Sequence, residues 1–298
     1  MPTTPEEHRR GLILALGASV IWGLVPVYFK LLGGVPPVEV VAHRILWSVV
    51  LLITILAATR RLPALAAALT DIRVLRALLL SAVLIGGNWL LYIWAVASGK
   101  LLAASFGYFL NPLVNVVLGV TVLRERLSGA QKAAVGLAAV GVAIAATGAI
   151  DDLGIGVALA LSFAFYGLIR KLTPVGAVEG LAVETIVLAP LCAGWIAWHA
   201  TAGTLAFGRE TGIDALLIGS ALVTSAPLMM YAASARRLPY ATMGVLQYIA
   251  PSMVLVLGVT VYDEPLVPAM AVAFVFIWAG LAVFTVDLVR RSRMQAAS

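Results

Sequence analysis

Apolar residues run along this chain in long stretches, each bounded by a short cluster of charge, proline or glycine. Ten stretches stand out, at roughly 11–32, 38–59, 74–98, 101–123, 130–150, 153–169, 177–199, 213–234, 240–261 and 268–288. A helix needs about 20 mostly apolar residues to cross the hydrocarbon core of a bilayer. The pattern therefore predicts an all-α integral membrane protein with ten transmembrane helices. The first stretch, Gly11 to Leu32, is longer than the apolar core of a cleaved signal peptide and is expected to stay as the first helix.

Composition agrees with that reading. Of 298 residues, 62% are hydrophobic and 11% charged, and the mean hydropathy is +1.04. A water-soluble globule of this size needs more charged surface than that. Ten spans would use roughly 200 residues, which leaves short loops and two tails. Cys192 is the only cysteine, which excludes an intrachain disulfide, and His8, His43 and His199 are scattered without metal-ligand spacing. No metal and no cofactor are expected.

The net charge of +6 is topogenic rather than a nucleic-acid signal. With the N-terminus placed in the cytoplasm, sixteen Lys and Arg fall in cytoplasmic segments, from Arg9 and Arg10 through Arg60, Arg61, Arg73 and Arg76 to Arg290, Arg291 and Arg293. Only Lys30, Lys100 and Arg209 fall outside, and Arg44 lies within a span. This alternation is the positive-inside signature, and it predicts a multi-pass inner-membrane protein with both termini cytoplasmic. The outer turns carry acids instead, at Asp151-Asp152 and Asp263-Glu264.

The two halves resemble each other. A shift of 139 places Leu118-Gly-Val-Thr-Val122 on the identical Leu257-Gly-Val-Thr-Val261. It also pairs Tyr92 with Tyr231, Pro112 with Pro251, Glu125 with Glu264, Leu127 with Leu266, and Gly141 with Gly280. A shift of 144 pairs Trp22-Gly-Leu24 with Tyr166-Gly-Leu168. The predicted organisation is a first five-helix repeat over 11–150 and a second over 153–289. Five is odd, so the second copy enters from the opposite side, which makes the repeat inverted, as in many secondary transporters.

These residues resemble a known family. The strings Glu39-Val-Val-Ala-His-Arg-Ile-Leu-Trp-Ser48, Asn88-Trp-Leu-Leu-Tyr-Ile-Trp-Ala95 and Gly107-Tyr-Phe-Leu-Asn-Pro112 carry the likeness in the first half. Phe163-Ala-Phe-Tyr-Gly-Leu-Ile-Arg-Lys171 and Leu246-Gln-Tyr-Ile-Ala-Pro251 carry it in the second. The chain is similar to EamA-type members of the drug/metabolite transporter superfamily, and among them to RarD-like permeases. The resemblance covers Gly11 to Val289. It implies a permease for small metabolites or drugs, with a central cavity lined by helices 1, 3, 4, 6, 8 and 9.

Polar groups inside spans are the candidate site residues, because a charge at helix centre costs about 2.5–3.5 kcal/mol on insertion scales. Arg44 and Glu184 are related by a shift of 140, as are Glu39 and Glu179. They read either as gating or coupling charges, or as a snorkelling Arg44 and a Glu184 paired with Arg170 or Lys171. His43 reads as a proton carrier or as a packed, hydrogen-bonded histidine. An aromatic and amide set of Trp22, Asn88, Tyr92, Tyr108, Asn111, Asn115, Tyr166, Tyr231, Gln247 and Tyr248 suits a cavity that binds solutes without fixed charge. Interhelical hydrogen bonds and interfacial belts are the competing explanation for that set. Pro112 and Pro251 mark symmetric hinges or static kinks. Ala134, Ala138, Gly141, Ala145 and Gly148 form a small-residue face, either an internal seam or a homodimer contact.

The expected function is secondary transport by alternating access, with the lipid bilayer and a small-molecule substrate as partners and no nucleic acid. The alternative is an intramembrane enzyme of lipid metabolism. Such an enzyme needs a localised nucleophile, metal or carboxylate cluster, and the adjacent acids here lie at span ends or in the N-terminal tail. No catalytic residue is assigned. A channel would need like groups around an axis along its pore, and an inverted repeat has its axis in the membrane plane.

Overall fold

A computed structural model describes residues 4–98, 100–147, 153–261 and 268–296. Among these residues all regular structure is helical. The helices are α1 (Pro5–Lys30), α2 (Pro37–Ala58), α3 (Leu62–Thr70), α4 (Ile72–Ala97), α5 (Leu101–Thr121) and α6 (Gly129–Ala146), followed by α7 (Leu153–Leu172), α8 (Ala177–Thr201), α9 (Thr211–Ala235), α10 (Tyr240–Leu246), α11 (Ile249–Val261) and α12 (Pro268–Ala296). Nine helical stretches of the described residues are long and apolar enough to cross a membrane, and Phe106–Thr121 of α5 is a shorter apolar helix. The acids Asp151, Asp152, Asp263 and Glu264 lie outside the described residues, as do Gly148 and Leu266.

Three features depart from the expected elements. The helix α3 falls in a segment read from sequence as a loop. At nine residues it is too short to span, and Arg60 and Arg61 before it read as loop charge. Arg60 adopts a left-handed backbone, φ 56°, which turns the chain out of α2. The ninth expected span breaks at Gln247 and Tyr248 into α10 and α11. The sixth runs on to Leu172 and so takes Arg170 and Lys171 into α7.

The chain divides into two compact units. One comprises Met1–Ile93 with Phe165–Arg237 and the other Trp94–Ala164 with Leu238–Ser298. In the first, α2 packs on α8 and α9, α1 packs on α9, and α3 lies against α8. Leu32, Val35, Val40 and Leu217 form a small core there, backed by Tyr28 and Phe207. In the second, α12 packs along α6 and α10 packs along α5. Phe106, Phe109, Val142, Tyr248, Phe274 and Ile277 centre its core.

The small-residue face of α6 is an internal seam. Ala134, Ala138, Gly141 and Ala145 are buried, and α12 is the helix that covers them: a Cβ on Gly141 would stand 2.6 Å from the carbonyl oxygen of Ala273. Elsewhere large apolar side chains such as Val83, Leu191, Trp198 and Val275 point outward. An apolar exterior around polar internal clusters is the arrangement a bilayer requires.

Candidate functional site

In the first unit, Glu184 sits on the buried half of α8. Its Oε1 accepts a 2.5 Å hydrogen bond from Ser81 Oγ of α4 and lies 3.5 Å from Arg170 Nη1 of α7, with both ionic side chains 1% exposed. Tyr166, one turn before Arg170, also hydrogen-bonds Glu184. Arg170 Nη2 donates to the Ala177 carbonyl at 2.9 Å. The guanidinium fits because residue 180 is glycine: a Cβ there would overlap Arg170. Tyr231 stands nearby, its ring centroid 5.6 Å from that of Trp22. Of the two cations expected beside Glu184, the fold therefore selects Arg170. Lys171, one residue on, points elsewhere and donates to the Ala235 carbonyl at 2.6 Å.

Arg44 is half-buried and places its guanidinium 4.0 Å from the Trp89 ring centroid, a cation–π contact that suits a charge out of water. Asn88 is buried beside this pair in sequence. Tyr92, a turn beyond, lies within electrostatic range of Arg44. His43 stacks on Phe207 at 4.5 Å between centroids, and its Nε2 is 4.0 Å from Glu39 Oε1. Glu39 itself accepts the backbone N–H groups of Ala206 and Phe207 at 2.8 and 2.9 Å. Its repeat partner Glu179 instead holds Arg61 at 2.6 Å. Both acids are buried and fasten a loop or a short helix to a span.

In the second unit, the side-chain oxygen Oε1 of Gln247 accepts from Asn111 Nδ2 at 3.3 Å and from Asn115 Nδ2. Asn111 and Asn115 are four residues apart on α5, so one face of that helix presents both. Gln247 reaches them because it caps α10, where the helix breaks. Close approach depends on Gly244, whose Cβ would stand 2.5 Å from the Pro112 carbonyl. The Oδ1 atoms of Asn111 and Asn115 and the Tyr248 hydroxyl are buried without a hydrogen-bond partner. Tyr108, one turn before Asn111 on α5, is 52% exposed. Pro112 lies inside continuous α5, where it removes the bond to the carbonyl four residues back. Pro251 lies in the first turn of α11, where a missing donor costs nothing.

Two participants were not singled out from sequence. Ser81 carries no pattern signal in an apolar run. Glu125, read only as a repeat match, accepts the N–H groups of Tyr240 and Ala241 at 2.6 and 2.9 Å. It thereby holds the N-terminus of α10, where an anion is favoured.

A chain of many apolar spans whose ion pairs and amide clusters are turned inward is a multi-pass membrane protein. The sequence profile of the EamA-like transporter family matches residues 9–147. The Protein RarD of Escherichia coli (strain K12) is 41% identical over 97% of this chain and 98% of its own length. An uncharacterized transporter of Vibrio cholerae is 40% identical over 95% of each chain. One solved crystal structure superposes with a TM-score of 0.71 at 20% identity, covering 93% of this chain and 97% of the other, which speaks for the fold. This chain belongs to the EamA-like transporters of the drug/metabolite transporter superfamily, in the RarD-like group.

Proposed function

We propose that this protein is an inner-membrane secondary transporter that moves small metabolites or drugs by alternating access. Ten spans form two inverted repeats, 11–150 and 153–289, with both termini cytoplasmic. The observation that carries the reading is the amide cluster at the α10–α11 break. Asn111, Asn115 and Tyr248 keep buried polar atoms without partners, although an unmet buried group costs about 1–3 kcal/mol. A solute that passes through the protein would satisfy these atoms for part of the cycle, and uncharged amides and phenols release it again.

In this reading Trp22, Asn88, Tyr92, Tyr166 and Tyr231 serve as substrate-contact residues. Tyr108, Asn111, Asn115, Gln247 and Tyr248 serve in the same role. Arg44, His43 and Glu184 serve gating or coupling, and Pro112 and Pro251 serve as hinges. Glu184 is the coupling group: protonation would cancel its attraction for Arg170 and loosen α7 from α8. The test is an uptake and efflux panel of metabolites and drugs in membrane vesicles, comparing the wild type with Gln247→Ala. A solute whose flux depends on the protein and falls in the variant supports the reading. A panel with no protein-dependent flux for any solute counts against it.

Orientation is tested separately with an impermeant thiol reagent on intact cells in a Cys192→Ala background. Glu210→Cys should react from outside, while Arg61→Cys, Arg126→Cys and Arg236→Cys should not. The opposite labelling would invert the topology.

A further inference from the structure

The helix α3 joins the end of one candidate span, Pro37–Ala58, to the start of the next, which begins at Ile72. In a bilayer crossed by these two spans, it would lie where the hydrocarbon core meets the headgroups. Its inner side is buried through Leu65 and Ala68, which pack it against α8. A second apolar stripe flanks that buried side on the exposed part of the helix. Leu62 and Leu69 are 41% and 38% exposed, and Ala66 between them is exposed too. The spacing of four and then three residues puts all three on one helical face. Ile72, at the start of α4, is 55% exposed as well.

Charge surrounds the stripe. Arg60 and Arg61 precede α3, and Arg73 and Arg76 follow it, all of them exposed. Two acids beside α3, Asp71 and Glu179, are engaged. Asp71 accepts the N–H groups of Arg73 and Val74 at 2.9 and 3.3 Å as the cap of α4, and Glu179 holds Arg61. Arg60, Arg73 and Arg76 thus stand as exposed cations at the two ends of this apolar helix. A cleft of about 300 Å³ opens beside it, lined by Arg61, Ala64, Ala67, Asp71, Pro174 and Glu179 among others.

We propose that α3 and its flanking arginines form a binding site for anionic phospholipid. Leu62, Ala66 and Leu69 dip into the upper acyl chains, and Arg60, Arg73 and Arg76 contact the headgroup phosphates. An amphipathic helix with apolar and basic sides binds membranes in this way, and basic residues near the surface draw anionic lipid by electrostatics. The docked lipid would brace α3 against α8 and so stiffen the junction between α2 and α4.

The full chain is reconstituted in nanodiscs of phosphatidylcholine with a minor share of phosphatidylglycerol. The lipid retained by the protein is then identified by native mass spectrometry. Wild type should enrich phosphatidylglycerol over its bulk share by about tenfold or more. The variant Arg60→Gln/Arg73→Gln/Arg76→Gln should lose most of that enrichment. Arg124→Gln/Arg126→Gln/Lys132→Gln, with the same loss of charge elsewhere, should keep it. Leu62→Ser/Leu69→Ser should weaken retention with the charges in place.

Absence of enrichment in wild type overturns the proposal, as does equal loss in the two charge-matched triple variants. Disulfide-linked dimers through Ala66→Cys, in a Cys192→Ala background, overturn it too, because a second copy would then cover the face. Should the arginine triple variant fail to fold, salt decides on the wild type. Near 1 M, where the screening length falls to about 3 Å, the enrichment should collapse, and its persistence overturns the proposal.

Discussion

Gly141 of α6 lies so close to Ala273 of α12 that a Cβ on the glycine would stand 2.6 Å from the Ala273 carbonyl oxygen. The contact has a counterpart: a Cβ on Gly280 of α12 would stand 2.6 Å from the carbonyl oxygen of Ala134 on α6. The same shift of 139 that relates Gly141 to Gly280 relates Ala134 to Ala273. Each helix thus offers its glycine to the other's backbone at equivalent positions. A reciprocal contact of this kind is what two related helices packing about a pseudo-two-fold axis produce, and it supports the inverted repeat.

Because backbone atoms block the added methyl at both positions, Gly141→Ala and Gly280→Ala should each destabilise the protein by about 1–3 kcal/mol, the usual cost of overpacking. Gly136, exposed on the same α6 with nothing within 4 Å of its Cβ position, serves as the control. Gly136→Ala should be neutral or stabilising by up to about 1 kcal/mol. Thermal unfolding in detergent, followed by loss of the monodisperse peak, measures all three. Similar losses at all three sites would refute a specific α6–α12 seam.

The Arg170–Glu184 pair is buried on both sides, so removing one charge strands the other. Glu184→Gln should keep the hydrogen bond from Ser81 and yet cost about 3–5 kcal/mol of stability. Glu184→Gln/Arg170→Met should recover part of that. If Glu184 couples protons, the single variant should also lose gradient-driven accumulation of substrate while retaining exchange at equal concentrations. Wild-type accumulation with unchanged pH dependence, in well-folded Glu184→Gln, would end the coupling role and leave a structural pair.

Glu125 holds the N-terminus of α10 by two hydrogen bonds to a charged acceptor, a kind worth about 1.5–3 kcal/mol each. Glu125→Ala should therefore lower thermal stability clearly, and Glu125→Gln should restore part of it, since one amide oxygen still accepts. Hydrogen exchange at Tyr240 and Ala241 should speed up in the alanine variant. Unchanged exchange there would rule out the anchoring role.

In the amide cluster, Asn111→Ala and Gln247→Ala should reduce transport more than they reduce yield of folded protein. Tyr92→Phe, which removes only a hydroxyl, should act in the same direction. Loss of folded protein in all three would assign these groups to interhelical packing.

The sequence by itself determined where the chain is apolar for long enough to cross a bilayer. Run length and the alternation of Lys and Arg are local properties that survive without knowledge of packing. It also carried the family likeness and the repeat offset, which are properties of order along the chain. It did not disclose α3, because a nine-residue helix is too short to register as a span and too many charges flank it. The break at Gln247 was equally hidden, since hydropathy stays high through it. Tertiary structure alone decided which cation faces Glu184. Arg170 and Lys171 are adjacent, and helical rotation of about 100° per residue sends one toward Gly180 and the other toward Ala235. It likewise decided that the small-residue face of α6 belongs to α12, because a seam has no partner until another helix is brought against it.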